Sequence, residues 1–342
     1  MRRKKCSAAT VLEAVSVLAV FAFMAAGCAE DISGGDGDDQ PEGAVLVVES
    51  RDPNAIERPA WIDSDTIIFS WNQDTPSDQL WTVETSGGNP VRFINDNPRP
   101  YMHPSYSSGV QMVAFEVVDS ELGGSSVDAI NLGGTPRTRY SAGDDDSSNA
   151  YPCWGPGGRA IGFLQTRKLL APRFVMIELD KTQDPPRPVG IIEVIDFARG
   201  FQHSGTAWYA PAAGAPFSGK VAYSRTPPAA LEGTEIYYYD LDMDQETRLT
   251  DDNTPDAGAN INPSWSPDGA YIVYSSDHRT TSSPEFGREL YIVSVASKAA
   301  ARLTRTGGNE TEPSWSPDGG KIAYVSGGDL YVLTVDSKIL PQ

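Results

Sequence analysis

The chain has 342 residues, with 27 Lys and Arg against 46 Asp and Glu, giving a formal charge of −19. An excess of that sign repels polyphosphate backbones and anionic bilayer surfaces, so nucleic acid is not an expected partner. With 39% hydrophobic residues and three cysteines, there is apolar material for a large core and too little thiol for a disulfide framework.

The chain opens with Arg2, Arg3, Lys4 and Lys5, followed by the uncharged run from Ala14 to Gly27, too short to span a bilayer comfortably. Residues 1–27 therefore read as a secretory signal. Ala25-Ala26-Gly27-Cys28 resembles the lipobox of bacterial lipoproteins, with alanine where that pattern prefers leucine. The resemblance implies that Cys28 is the first mature residue and the site of lipid attachment, so the membrane is met through an N-terminal lipid. An ordinary cleaved signal is the alternative. Ala29 after the cysteine points, by analogy with enteric sorting, to the outer rather than the inner membrane. Loss of residues 1–27 would leave 23 basic and 45 acidic side chains. Residues 28–43, including Ser33-Gly34-Gly35-Asp36-Gly37-Asp38-Asp39, are acidic and glycine-rich. Such a segment cannot offset its ordering entropy, and a flexible tether is expected.

From residue 44 onward the chain is repetitive. Pro263-Ser264-Trp265-Ser266-Pro267-Asp268-Gly269 recurs as Pro313-Ser314-Trp315-Ser316-Pro317-Asp318-Gly319, a period of fifty residues. Units of that size cannot bury their own faces and must stack on one another. The tryptophan slot is filled by Trp61, Tyr106, Trp154, Trp208, Trp265 and Trp315. In five units a proline stands two residues earlier. A second strand ends in Phe69, Phe115, Phe163, Tyr223, Tyr274 or Tyr324. A third follows in runs such as Leu80-Trp81-Thr82-Val83 and Ile236-Tyr237-Tyr238-Tyr239. A short fourth, read as opened by arginine, begins at Arg92, Arg139, Arg248 and Arg302, which would guard the sheet edges. Pro-Asp-Gly turns join the first two strands. Four strands per unit and no persistent 3.6-residue period predict an all-β, six-bladed propeller with almost no helix. The last unit stops after its third strand. The unassigned segment Ala44-Val45-Leu46-Val47-Val48-Glu49 is expected to complete that blade and close the ring.

These residues, with Ile272-Val273-Tyr274-Ser275 and the Arg-Leu-Thr runs at 248–250 and 302–304, resemble the propeller repeat of the TolB family across residues 44–342. The match is strongest in the last third and weakest in the fourth unit, where Ala210 to Gly219 reads as an insertion. TolB itself carries a further N-terminal α/β domain for which residues 1–43 offer no material. The resemblance implies a monomeric, periplasm-facing scaffold whose loop face docks another envelope protein or a small ligand.

In that family fold the residue before each slot proline lines the rim of the central channel. Here these are Arg58, His103, Tyr151, Asn262 and Glu312, with His203 in the unit lacking the proline. A cation, an imidazole, a phenol, an amide and a carboxylate form the mixed polar set that a funnel-shaped site offers; freely varying loop tips are the alternative. Asp96, Asp144, Asp145, Asp146, Asp251, Asp252, Asp256 and Glu310 follow the fourth strands at one phase, so that face is expected to be acidic and could attract a basic protein patch or a divalent cation. Asp240, Asp242, Asp244 and Glu246 alternate as calcium ligands do, without the glycine of an EF-hand loop. No nucleophile elbow, zinc motif or phosphate loop is present in the sequence, Cys153 occupies a slot that is small in other units, and no catalytic residue, metal or cofactor is assigned. An enzyme is the alternative class: a metal-dependent polysaccharide lyase resembling oligogalacturonate lyases, which needs histidines at the channel.

Overall fold

The computed structural model describes residues 43–50, 52, 56–73, 77–94, 99–119, 124–141, 147–168, 170–196, 201–209, 214–226, 233–251, 258–277, 287–306 and 308–341; at 191–194, 196 and 201–206 only the backbone is described. The signal, Cys28 and all of the tether except Gly43 lie outside these residues. So do Asp96, Asp144, Asp145, Asp146, Asp252, Asp256 and His278.

Strand β1 (Ala44–Val48) precedes the first blade, which comprises β2 (Ile56–Trp61), β3 (Thr66–Trp71), β4 (Gln79–Glu84) and β5 (Val91–Arg92). Blade 2 holds β6 (Tyr101–Ser107), β7 (Met112–Asp119), β8 (Gly124–Asn131) and β9 (Arg137–Ser141). Blade 3 is β10 (Ser147–Trp154), β11 (Ala160–Arg167), β12 (Arg173–Asp180) and β13 (Arg187–Asp196). Blade 4 is β14 (Phe201–Tyr209), β15 (Lys220–Arg225), β16 (Glu235–Asp240) and β17 (Gln245–Arg248). Blade 5 is β18 (Asn260–Trp265), β19 (Tyr271–Ser276), β20 (Glu289–Ser294) and β21 (Ala300–Arg302). Blade 6 contains β22 (Glu310–Trp315), β23 (Lys321–Ser326) and β24 (Asp329–Thr334). Its fourth strand is β1, antiparallel to β24 with Ala44 opposite Leu333 and Val48 opposite Leu330. The ring is thus six sheets of four strands, closed by the N-terminal strand as the sequence predicts. Among the described residues the helical segments are two short 3₁₀ turns, and no helix is long and apolar enough to cross a membrane.

The core lies between blades. Successive side chains of a strand point to opposite faces, and both faces of each blade are covered, so the strands read as unbroken apolar runs rather than alternating ones. In β23, Ile322 and Tyr324 pack toward blade 5, while Ala323 and Val325 pack toward blade 1. Among the described residues, buried apolar side chains form six such clusters, one per pair of neighbouring blades. The second-strand aromatics, from Phe69 to Tyr324, are all buried, each worth about 1.5–3 kcal/mol by area.

Three of the slot tryptophans tie neighbouring blades together. Trp61 Nε1 donates to the Ser314 carbonyl of blade 6 (2.9 Å), Trp154 Nε1 to Ser105 of blade 2 (3.1 Å) and Trp265 Nε1 to Ala207 of blade 4 (3.2 Å). Trp208 is in register, opposite Val221, but its indole donates to Ser218 (2.8 Å) inside its own blade. The long connection between Tyr209 and Lys220 supplies that acceptor, so the insertion read from the sequence redirects the indole. The Ser-Pro-Asp-Gly turns close on themselves. Ser266 Oγ donates to Asp268 Oδ1 (2.6 Å) and accepts from the Tyr271 amide (2.9 Å), while Gly269 takes φ +70°. A side chain on Gly269 would meet the Tyr209 ring at 2.3 Å.

The arginines do not open the fourth strands. In blades 1, 4 and 5 they end the fourth strand rather than open it, and in blade 2 Arg139 sits mid-strand. Their guanidinium groups each reach back to a buried side chain of the neighbouring strand. Arg92 reaches Gln79, Arg139 reaches Asp128, Arg248 reaches Glu235 and Arg302 reaches Glu289, at 2.6, 3.0, 3.0 and 2.7 Å. These acceptors are buried: Glu235 is 0% exposed and Asp128 2%. A carboxylate removed from water needs donors on its lone pairs, and the Arg-Leu-Thr run provides them. Arg248 binds one oxygen of Glu235 and the Thr250 hydroxyl the other; Arg302 and Thr304 do the same for Glu289.

Candidate functional site

Arg58, His103, Tyr151, Asn262 and Glu312 lie within the inner strands, not in the loops that enter them. Each coincides with a register shift against the second strand, between Glu57 and Ala60 in blade 1 and between Thr311 and Ser314 in blade 6. Each also takes a left-handed backbone: φ is +52° at Arg58 and His103, +53° at Tyr151, +56° at Asn262 and +57° at Glu312. Non-glycine residues pay about 1–2 kcal/mol for that conformation. Its repetition at one place in five blades makes it a built bulge, which re-aims a side chain that regular pleating would send elsewhere. The proline that follows lacks an N–H and suits the interrupted ladder.

The bulges aim these residues into one cavity of about 460 Å³ on the axis. Its walls continue downstream along the inner strands to Ser266, Pro267, Ser316 and Pro317. The cavity therefore extends from the bulges toward the face of the Pro-Asp-Gly turns. A ring of small residues, Ala60, Ser105, Cys153, Ala207, Ser264 and Ser314, forms its waist. Larger side chains at this position would fill the axis. Cys153 is buried in the blade 3–4 cluster, in keeping with its small slot.

The five residues do not act alike. Glu312 forms an ion pair with Arg58, 2.9 Å from its Nε, and accepts a hydrogen bond from the Arg58 backbone amide (2.6 Å), linking blades 6 and 1. The Arg58 guanidinium lies 4.8 Å from the centre of the Tyr151 ring, and that ring stacks on His103 at 4.1 Å. His103 Nδ1 is 2.6 Å from Glu116 Oε2. Blades 6, 1, 2 and 3 are thereby braced across the axis by one polar and aromatic chain, a cation over a ring face adding to the ion pair. Burial disfavours the Arg58 charge, but Glu312 and then Tyr151 offset it, and the guanidinium is held above its ordinary value. Glu57, one residue upstream, is pushed up to about 7, first by burial and then by Glu312. It thus changes charge near neutrality, a feature that sequence spacing could not show. Asn262, from blade 5, is buried. His203 lies on β14, but its side chain is outside the described atoms.

Of the acidic residues at that phase, Asp251 and Glu310 are described, and they serve different neighbours. Glu310 is fully buried at the start of β22, and Asp251 pairs with Arg248 at 3.0 Å. The alternating acids of blade 4 also serve different neighbours. Asp240 and Asp242 accept backbone amides, Asp244 meets the Tyr239 hydroxyl, and Glu246 pairs with Arg225. Among the described residues no group of three His, Cys, Asp or Glu side chains is placed to hold a metal ion.

The model of the dipeptidyl peptidase IV N-terminal region matches residues 266–341. A comparison with curated proteins returned no match. Among solved structures, TolB from Acinetobacter baumannii superposes with a TM-score of 0.56 at 18% identity, covering 81% of this chain. This chain has a TolB-like propeller fold. It spans 65% of the Acinetobacter chain. A TolB from Agrobacterium tumefaciens matches at 0.49 and 19% identity over 70% of this chain and 73% of its own. An oligogalacturonate lyase solved with manganese matches at 0.50 and 12% identity, over 87% of this chain and 99% of its own. At these identities the likeness is one of fold.

Proposed function

We propose that this chain is a lipid-anchored binding module of the cell envelope, attached through Cys28 and facing the periplasm from the outer membrane. Its axial cavity takes a small ligand or a segment of another envelope protein. The observation that carries this reading is the set of five strained bulges aiming five different polar or aromatic side chains into one cavity. Local backbone strain of this kind persists where the surrounding structure over-determines it, and it clusters at ligand-binding sites. A purely architectural slot would have been filled by similar residues, as the waist of the same cavity is.

Photoreactive groups placed at positions 103, 151 and 262 of the full chain in cells test it. The expected result is a discrete adduct from these positions and none from Met243, which is 73% exposed on blade 4. Equal labelling from all four positions, or none, defeats the reading. Cleavage of an acidic polysaccharide by the purified protein, abolished by chelation, would favour a lyase instead. Radiolabelled lipid incorporation that disappears in Cys28→Ser tests the anchor separately.

A further inference from the structure

The joint between blades 5 and 6 differs from the joint between blades 4 and 5 at a buried side chain, Glu310 in place of Asn260. Asn260 and Glu310 are equivalent. Each opens an inner strand, each pairs with a serine, Ser276 or Ser326, and each donates its backbone amide to the residue before the clamped glutamate, Thr234 or Arg288. At the first joint the Asn260 amide donates to Glu235 Oε2 at 3.0 Å, completing the shell supplied by Arg248 and Thr250. At the second joint, Glu310 stands where the amide stood and its side chain lies within hydrogen-bonding reach of Glu289. Thr306 and Ser326 hydroxyls both donate to Glu310 Oε1, at 2.5 and 2.7 Å. Glu310 Oε2 is buried and receives no donor among the described residues. Two buried carboxylates in that geometry cannot both be ionised at small cost.

We propose that Glu310 and Glu289 share one proton in the folded protein, with the Glu310 acid O–H donating to Glu289 where the preceding joint uses an amide N–H. The pair then carries one negative charge, balanced by Arg302, whose guanidinium is 2.7 Å from Glu289. Among the described residues, the other groups that face it are the buried Tyr324 phenol of blade 6 and the hydroxyls of Thr304, Thr306 and Ser326. Arg288 is turned away to Asp277 and leaves the proton necessary. Burial acts in the same direction, raising the Glu310 carboxyl above 4.5. The joint is consequently a pH-sensitive contact next to the blade that closes the ring: it holds while the proton is present and loosens when alkali removes it.

Glu310→Gln in the full chain tests this, because the amide restores a permanent donor. Urea unfolding of both proteins across about pH 5 to 8 is expected to show the variant gaining on the wild type as pH rises, by up to about tenfold in folding constant per pH unit over the interval where only the unfolded chain has lost the proton. A ratio that stays flat across the range overturns the proposal. If the variant does not fold, isotope-edited infrared spectroscopy of glutamate side chains decides. A protonated carboxyl band at neutral pH that survives in Glu57→Gln supports the shared proton, and its absence from both proteins refutes it.

Discussion

Two sets of polar residues repeat around this ring, and they have diverged in opposite ways. At the outer shoulders, Arg92–Gln79, Arg139–Asp128, Arg248–Glu235 and Arg302–Glu289 keep one chemistry, a guanidinium on a buried oxygen. At the axis, Arg58, His103, Tyr151, Asn262 and Glu312 share a backbone conformation and little else. In these four blades the shoulders solve one problem, which is satisfying a polar side chain taken out of water. The axial positions are held by the backbone and left chemically free, as suits residues selected for what they contact.

The comparison can be broken by substitution. Trp61→Ala is expected to cost the most, about 4 kcal/mol, because it empties a buried site and removes the indole bond across the closing seam. Trp208→Ala, half-buried and bonded within its own blade, should cost about half as much in the same urea titration. Glu235→Ala should cost about 3 kcal/mol by leaving Arg248, Thr250 and Asn260 facing an empty shoulder, whereas Gln79→Ala, a neutral acceptor for Arg92, should cost about 1 kcal/mol. A Glu235→Ala protein as stable as wild type would mean the clamps are not what holds the shoulders.

The axis should respond to pH more than to truncation. Glu57 has a folded value of about 7 against an ordinary 4.5, so the folded state binds the proton more tightly than the unfolded chain. Its contribution is present below 4.5 and is lost as pH rises toward about 7. Glu57→Gln should therefore be more stable than wild type at about pH 8, by on the order of 2 kcal/mol, with the difference vanishing near about pH 4. The smallest effect is expected at Asn262→Gly. Glycine relieves the φ of +56°, and stability should stay within about 1 kcal/mol of wild type while crosslinking from neighbouring axial positions falls. A loss as large as that of Glu235→Ala would place Asn262 among the structural residues.

The residues that spoke most clearly in the sequence were those with a single physical task. Tryptophan before Ser-Pro-Asp-Gly and an aromatic closing the next strand gave the blade count, because each fills a gap between sheets that only bulk can fill. The orphan run at 44–49 revealed the closure, because an unfinished blade needs an apolar strand. The arginines misled. Their position near an edge strand reads as solvent protection, and nothing local shows that Gln79, Asp128, Glu235 and Glu289 wait a strand away. The axial bulges were equally hidden: the residue before a proline ordinarily takes an extended backbone, so a left-handed one inside a strand leaves no local signature. The position was legible from the repeat, while its depth in the strand and the direction of the cavity were not. The pairing of Glu310 with Glu289 needed three dimensions as well. In the sequence Glu310 is one more acid in an acidic stretch.

The way the ring closes also decides how it bears tension. The chain upstream of Gly43 joins the propeller at Ala44, the first residue of β1, whose only sheet neighbour among the described residues is β24. Any pull arriving from that side is loaded first onto the β1–β24 ladder. Directed along the strand, it must shear several backbone hydrogen bonds together; directed outward, it peels them singly from Ala44. Under the proposed anchoring through Cys28 the same segment is both clasp and mooring point, and the angle of the pull sets which way the clasp fails.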